Sequence, residues 1–449
     1  MSGRFTRPSA GAPTPVRFPP IVREQLDNGL RIWSVPFGAV PVANVTLVIA
    51  RGTGDDPAHL HGLASLTGDL LDEGAGARDA IALAEAFARA GTQLDIDVGP
   101  DAATLSCAGL ARSLDRTLEL MADVVCRPTL GEPDFTRVRE LRVNRLRQLS
   151  RSAGTAADRA YVSAVFADHA YGHGALGTTS SLGAMTVDDA RGFWAQQYGP
   201  SVATLIVVGD VVSADVTAAA RRAFDGWVAP VGPSTAEATP VVPDPRILLV
   251  DRPGAAQSEL RIGHVGPPRS TPDYHALIVL NALLGGQFTS RINRRLREEK
   301  GITYGAHTSF DLRRLAGSFS CDTSVQQDAT ADAIADVLQE FETIRRESVG
   351  DDELAAARAS LTRGYVRSFE TVSQIARAAV QLTVHGLPDD TFNRFVPAVE
   401  TISRDEVHAV ASRRVRPDEA TVVVVGDAAV CGAALEQIGR PVVRVVPEF

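Results

Sequence analysis

Lysine is almost missing from this chain: Lys300 is the only one among 45 basic residues, so arginine carries the positive charge. Cysteine is scarce as well. The four copies, Cys107, Cys126, Cys321 and Cys431, lie far apart with no C-x-x-C pair, which excludes a disulfide framework and a zinc ribbon. Cys107 and Cys321 sit in alternating apolar stretches and read as buried, reduced thiols, the usage of a cytoplasmic protein. No run approaches the ~20 apolar residues of a membrane span. Met1 to Pro20 is rich in Pro, Gly, Ser and Arg and lacks the apolar stretch of a signal peptide. Residues 1–22 are expected to form a flexible tail. There is no phosphate-binding G-x-x-x-x-G-K-[ST] loop, no G-x-G-x-x-G after a strand and no G-x-S-x-G nucleophile elbow. The balance of 45 basic against 54 acidic residues gives a net charge of −9, which argues against general nucleic-acid binding.

What remains is an ordinary globular composition, 45% hydrophobic and 22% charged, in a chain of 449 residues. At roughly 150 residues per domain, two or three domains are expected. The abundance of alanine and glycine is read as compositional bias rather than mechanism. Comparing the chain with itself is more informative. Thr204-Leu-Ile-Val-Val-Gly-Asp210 recurs as Thr421-Val-Val-Val-Val-Gly-Asp427, 217 positions later. Thr186-Val-Asp-Asp189 and Ser403-Arg-Asp-Glu406 are again 217 apart, each a hydroxyl N-cap followed by acids that suit a helix dipole. Gly131-Glu-Pro-Asp134 matches Gly350-Asp-Asp-Glu353, and Gly91 and Gly301 each end a helical pattern before alternating strands. Four ordered matches at nearly constant offset indicate a duplicated module.

Strand patterns run over Leu30–Val35, Val42–Ala50, Ile247–Val250 and Glu259–His264. Helical patterns cover Leu60–Asp72, Ile81–Arg89, Leu114–Val125 and Asp134–Leu149. Strands and helices cluster rather than alternate strictly, which predicts an α+β fold with a mainly antiparallel sheet in each half. The expected organisation is a first domain over 23–229, a Pro-rich linker over 230–245, and a second domain over 246–449.

From about Val22 onward the chain resembles the pitrilysin/insulinase-type zinc peptidases, which include the mitochondrial processing peptidase. That family carries an inverted zinc motif, G-L-x-H-x-x-E-H, on a helix of its first half. Here the stretch is Gly62-Leu63-Ala64-Ser65-Leu66-Thr67-Gly68-Asp69, so Ser65 and Asp69 replace the two histidines and Gly68 replaces the glutamate base. Two imidazoles at i and i+4 share a helix face and grip one zinc ion, while the glutamate activates bound water. By the same resemblance a third ligand, a glutamate about 76 residues on, falls around Arg145 and Leu146, neither of which coordinates zinc. No metal is expected in this chain. His59 and His61 precede the helix at extended spacing. His169 and His173 are four apart, but Gly172 and Gly174 argue against a helix there. Both pairs read as ordinary surface or core histidines.

The second half keeps more of the pattern. Leu283-Leu-Gly-Gly-Gln-Phe-Thr-Ser-Arg-Ile-Asn-Arg-Arg-Leu-Arg297 and the following Glu-Glu-Lys-Gly-Ile-Thr-Tyr304 resemble the family's glycine turn, helix and arginine–tyrosine pair. The resemblance implies that Arg297 holds a substrate carbonyl and Tyr304 donates to the tetrahedral oxyanion. Gly285 and Gly286 either admit a peptide backbone or merely turn the chain. His307 is expected on the strand face opposite Tyr304. Three functions follow as expectations. The first is a non-zinc subunit paired with a zinc-bearing homologue around a peptide substrate. The second is an inert structural or peptide-binding homologue, with a homodimer as one possible form. The third is an independent hydrolase with a different metal site.

Overall fold

The computed structural model describes residues 11–234 and 240–449. Residues 1–10 of the expected tail and 235–239 of the expected linker lie outside the described residues. The first half contains strands β1 (Val22–Gln25), β2 (Arg31–Pro36) and β3 (Val42–Ile49), then a short hairpin, β4 (Gly74–Ala75) and β5 (Arg78–Asp79). It continues with β6 (Leu94–Val98), β7 (Ala103–Leu110) and β8 (Ala203–Gly209). Its helices are α1 (Leu63–Leu70), α2 (Ala80–Arg89), α3 (Leu114–Cys126), α4 (Glu132–Leu149), α5 (Ala153–Phe166), α6 (Thr179–Ala184), α7 (Val187–Gln197) and α8 (Ser213–Phe224). The second half contains β9 (Ile247–Asp251), β10 (Gln257–Gly266), β11 (Thr303–Asp311), β12 (Gly317–Gln326), β13 (Thr421–Gly426) and β14 (Val442–Arg444). Its helices are α9 (Tyr274–Leu284), α10 (Arg291–Asn293, continued by a π-helix over Arg294–Glu299), α11 (Thr330–Arg346), α12 (Asp351–Thr362), α13 (Val372–His385), α14 (Thr391–Thr401), α15 (Arg404–Arg414) and α16 (Ala428–Leu435).

The two six-stranded sheets run β1-β2-β8-β3-β7-β6 and β11-β12-β10-β13-β9-β14. In each, the strand ending in Val-Gly-Asp or Val-Val-Gly-Asp lies parallel to the first long strand and antiparallel to the second: β8 to β2 and β3, β13 to β9 and β10. The remaining pairs are antiparallel, apart from β14 with β9. The duplication visible in the sequence is therefore a duplication of topology, and the fold is α+β. Thr186 and Ser403 cap α7 and α15 with reciprocal boxes through Asp189 and Glu406. Gly91 and Gly301 both adopt left-handed φ, 76° and 66°, as their place at helix ends requires.

Each half exchanges one helix with the other, which the division of the chain at 230–245 does not convey. Helix α5 packs Ala157, Ala164, Val165 and Phe166 against Leu248, Val250, Val423 and Val425 of the second sheet. Its equivalent α13 packs Ile375, Ala379 and Leu382 against Val35, Val48, Ile206 and Val208 of the first. The alanines of these helices bring the backbone close to the strands, so part of the alanine content has a structural reason. Tyr161 of α5 donates to the Phe319 carbonyl at 2.6 Å. Gly263 leaves room for that bond, because a Cβ there would stand 2.5 Å from the Tyr161 hydroxyl and 1.8 Å from the carbonyl oxygen. Residues 16–22 are not free either: Val16 and Phe18 are buried, and the Phe18 ring lies 5.1 Å from that of Phe392.

His264 of β10 is buried, with Nδ1 2.9 Å from the Val265 carbonyl and Nε2 accepting the Arg416 N–H at 2.9 Å. Burial pushes its pKa down to about 4. A depressed imidazole pKa stabilises the fold above the unfolded value and loses that contribution as pH falls toward the folded one. A second proton would also eject the Arg416 N–H. Between pH 7 and pH 5 the wild type is expected to lose about 2 kcal/mol more stability than His264→Gln, at 1.36 kcal/mol per pKa unit. Urea titrations of both proteins at the two pH values check this, since other buried groups cancel in the comparison. Equal losses would remove His264 from the account.

Among the described residues no helix is long and apolar enough to cross a membrane. All four cysteines are free, and Cys107, Cys321 and Cys431 are buried.

Candidate functional site

Helix α1 carries the motif positions, and its entry is fixed by Asp56. That carboxylate accepts the Gly62 and Ala64 N–H groups at 2.6 and 2.7 Å. Burial raises the Asp56 pKa to about 7 against these bonds. Gly62 turns the chain with φ of 96° into the helix. Ser65 and Asp69 then project toward α4, whose buried stripe is Phe135, Val138, Arg142 and Leu146. Arg142 breaks that apolar stripe with a cation, and it is only 4% exposed. Its Nε donates to Asp69 Oδ2 at 2.8 Å, and its Nη2 donates to Ser65 Oγ at 2.8 Å and lies 2.6 Å from Asp69 Oδ2. Arg142, rather than the expected Arg145 or Leu146, thus faces Ser65 and Asp69. Arg145 is exposed and Leu146 belongs to the core. Gly68 faces β6, where a Cβ would approach Val98 Cγ2 at 2.7 Å.

His61 and His173 come together beside this cluster, although the sequence pairs neither with the other. Their rings stack at 4.1 Å with 4° between planes. His173 Nε2 is 3.8 Å from Asp56 Oδ2. Burial, with His61 nearby, lowers the His173 pKa to about 4, so at neutral pH the imidazole is uncharged. Residues around His169 and His173 form turns rather than helix. Among the described residues no group of three or more His, Cys, Asp or Glu is placed to hold a metal ion.

Arg297 and Tyr304 occupy the second region. Arg297 lies in the π-helix, a form that recurs at functional sites. Arg291 anchors this helix to α12 through a two-pronged pair with Glu353 at 2.7 and 2.8 Å. Lys300 and Arg295 both reach Asp336 of α11. Arg297 has no carboxylate within ion-pair reach among the described residues, and its guanidinium lies 3.9 Å above the Phe288 ring. Phe288 is 62% exposed and Tyr304 is 92% exposed. Tyr304 sits where the register of β11 against β12 slips between Thr303 and Ala306, a bulge on an edge strand that turns its side chain outward. Among the described residues no hydrogen bond engages its hydroxyl. His307 is exposed as well.

Asn293 ties the two elements together. Its amide donates to the carbonyls of Ala306 and Gln287 at 2.6 and 3.0 Å and accepts the Ala306 N–H at 2.9 Å. Asn293→Ala is expected to cost about 2 kcal/mol, because buried backbone groups lose their partners. Chemical denaturation measures it, and a loss below about 0.5 kcal/mol would show that the platform holds without this residue. Gly285 and Gly286 are accounted for by close packing. A Cβ on Gly285 would stand 2.5 Å from Thr308 Cγ2, and one on Gly286 would stand 2.6 Å from Asn281 Nδ2. No hydrogen bond or ion pair among the described residues joins Ser65, Asp69 or Arg142 to Arg297 or Tyr304.

Two family models divide the chain between them: the insulinase model of peptidase family M16 matches residues 39–179, and the model described as the M16 inactive domain matches 184–361. The chain belongs to the insulinase-type M16 peptidase family. Among similar proteins of this family is one named an uncharacterized zinc protease from Mycobacterium bovis, 25% identical over 397 residues, covering 87% of this chain and 89% of that one. The fold matches the crystal structure of a peptidase M16 inactive domain from Pseudomonas fluorescens, with a TM-score of 0.84, 23% identity, and 91% and 98% of the two chains covered. A protease from Helicobacter pylori gives 0.82 at 19% identity, covering 91% and 99%.

The relative's name implies zinc, so the M16 motif positions must be tested against it. Their donor set is one hydroxyl, one glycine and one carboxylate that already pairs with a guanidinium. Zinc needs three or four N, S or O ligands and repels a fixed cation in its place. These residues do not fit a zinc ion. The sequence signal for Arg142 was its place on the apolar stripe of α4. For Asp56 and the His61–His173 stack, residues far apart in sequence, no local signal exists.

Proposed function

We propose that the chain is the non-zinc member of a two-chain M16 peptidase, in which a homologous partner holds the zinc and this chain lends Arg297 and Tyr304 to the partner's reaction centre. The carrying observation is the contrast between the two regions. At the motif positions an arginine sits in the place a metal would need. At the other region the Tyr304 phenol stands exposed and a half-buried Arg297 guanidinium, without a carboxylate partner among the described residues, lies over Phe288, on elements braced by Asn293, Arg291 and Lys300. In the pair, Arg297 holds the carbonyl of an extended peptide, and the Tyr304 hydroxyl donates to the oxygen that becomes negative during attack. Such donors work because they are positioned before charge develops. The peptide adds a strand to a sheet edge, where backbone bonds tolerate varied side chains. The test is to co-express the chain with a homologue that carries H-x-x-E-H and analyse the purified complex for metal. One zinc per pair with stable association supports the reading; failure to associate, or zinc in this chain alone, contradicts it.

A second reading, an inert structural or peptide-binding homologue, draws on the Arg297–Phe288 contact, which satisfies the guanidinium within its own chain. It expects association without any contribution of Arg297 to hydrolysis.

A further inference from the structure

We propose that Phe288 is a positioning residue for Arg297: its ring takes the guanidinium by one face and leaves the in-plane N–H donors free for a peptide carbonyl. The proposal deepens the reading in which Arg297 serves a partner's reaction centre, and rests on it for its functional half.

The cations around Arg297 are held by acids. Arg291 makes its two-pronged pair with Glu353, Arg295 reaches Glu299 and Asp336, and Lys300 reaches Asp336. Arg297 differs. Its helical neighbours three to five positions away are Ile292, Asn293 and Arg294 on one side and Lys300, Gly301 and Ile302 on the other. None is an acid, so no carboxylate faces Arg297 along its own helix. Among the described residues no ion pair or hydrogen bond engages the guanidinium. Its Cζ stands instead 3.9 Å from the centre of the Phe288 ring. At that distance the face makes the contact, because an edge-on N–H would hold Cζ farther away.

Face and edge differ in what they leave available. A guanidinium is planar, and its five N–H donors lie in that plane. A carboxylate pairs with the edge and occupies donors there. An aromatic ring attracts the cation from above and occupies none of them. Phe288 therefore steadies the charge of Arg297 while its donors stay open, unlike the ion pairs beside it. A contact of this kind suits an arginine that must still bind a carbonyl.

The ring is placed by the backbone of its turn rather than by burial. Phe288 is 62% exposed. The turn is closed by the Gly286 N–H on the Asn281 carbonyl at 2.7 Å and the Ser290 N–H on the Gln287 carbonyl at 3.1 Å. Asn293 donates to the Gln287 carbonyl at 3.0 Å and to the Ala306 carbonyl at 2.6 Å. One amide thus sets both the turn that carries Phe288 and the strand that carries Tyr304. Shortening so exposed a ring opens no cavity, so a variant reports on Arg297 rather than on the fold.

Two measurements test this with Phe288→Leu, which keeps apolar bulk without an aromatic face, and Phe288→Tyr, which keeps the face. The first uses the full chain alone and follows phenylglyoxal modification of Arg297 by peptide mapping. Phe288→Leu should be modified at Arg297 about threefold faster or more, because the stacked cation is held in its protonated form. Phe288→Tyr should match wild type, and the exposed Arg145 should react equally in all three. The second uses the chain reconstituted with a homologue that carries H-x-x-E-H. There Phe288→Leu should lower kcat/KM about fivefold, Phe288→Tyr should restore it, and Phe288→Leu should add nothing in an Arg297→Ala background. An unchanged labelling rate, full activity of Phe288→Leu in the pair, or an equal further loss in the Arg297→Ala background would overturn the proposal. Faster labelling in a chain that never activates a partner would leave the Phe288 contact standing and remove only the paired-peptidase reading.

Discussion

Replacing Tyr304 by Phe, or Arg297 by Ala, should lower kcat of the reconstituted pair by about 10²–10³, the effect of removing one positioned oxyanion donor. The Tyr304→Phe change removes a single oxygen from a side chain that is 92% exposed, so it leaves the fold and the β11 bulge intact. Its effect should therefore appear in kcat and hardly in KM, because the bond forms as charge develops. Arg297 holds the ground-state carbonyl as well, so its removal should also raise KM. Loss of the guanidinium frees Phe288, but no ion pair is broken. Stability of both variants should stay within about 0.5 kcal/mol of wild type. Steady-state kinetics of the pair with each variant decide the matter: full activity from both would assign them no catalytic part.

The second large effect concerns Arg142. Arg142→Ala should destabilise the chain by about 2–3 kcal/mol, less than the 3–5 seen when a fully buried pair is broken, because the Asp69 side chain is 48% exposed and water can take over part of its solvation. The loss combines an unpaired carboxylate, an orphaned Ser65 hydroxyl and the space left between α1 and α4. A chelator should leave the denaturation midpoint of the wild type unchanged, since the guanidinium does the bridging between these helices. A midpoint that falls on chelation, or an Arg142→Ala variant as stable as wild type, would contradict this view of the cluster.

Much of the architecture was legible in the sequence because local chemistry and topology agree. The Val-rich strands 217 positions apart, the capping boxes at Thr186 and Ser403 and the left-handed glycines at 91 and 301 all report on short-range geometry. The reciprocal exchange of α5 and α13 was not legible. An alanine-rich amphipathic helix shows which face is buried but not which sheet buries it. For the same reason a ligand position counted along α4 fell on Arg145 and Leu146, while the helix turns Arg142 toward Ser65 and Asp69. The seven-residue spacing of Arg297 and Tyr304 was readable. The π-helix and the bulge that present them depend on Asn293 and on pairing with β12, contacts that spacing alone does not encode.

The division of labour is tested most directly by titrating this chain into a fixed amount of its zinc-bearing homologue and following peptide hydrolysis. The account predicts negligible turnover from either chain alone and a rise that saturates at a one-to-one ratio. A homologue that is fully active by itself, with a rate indifferent to added chain, would contradict it.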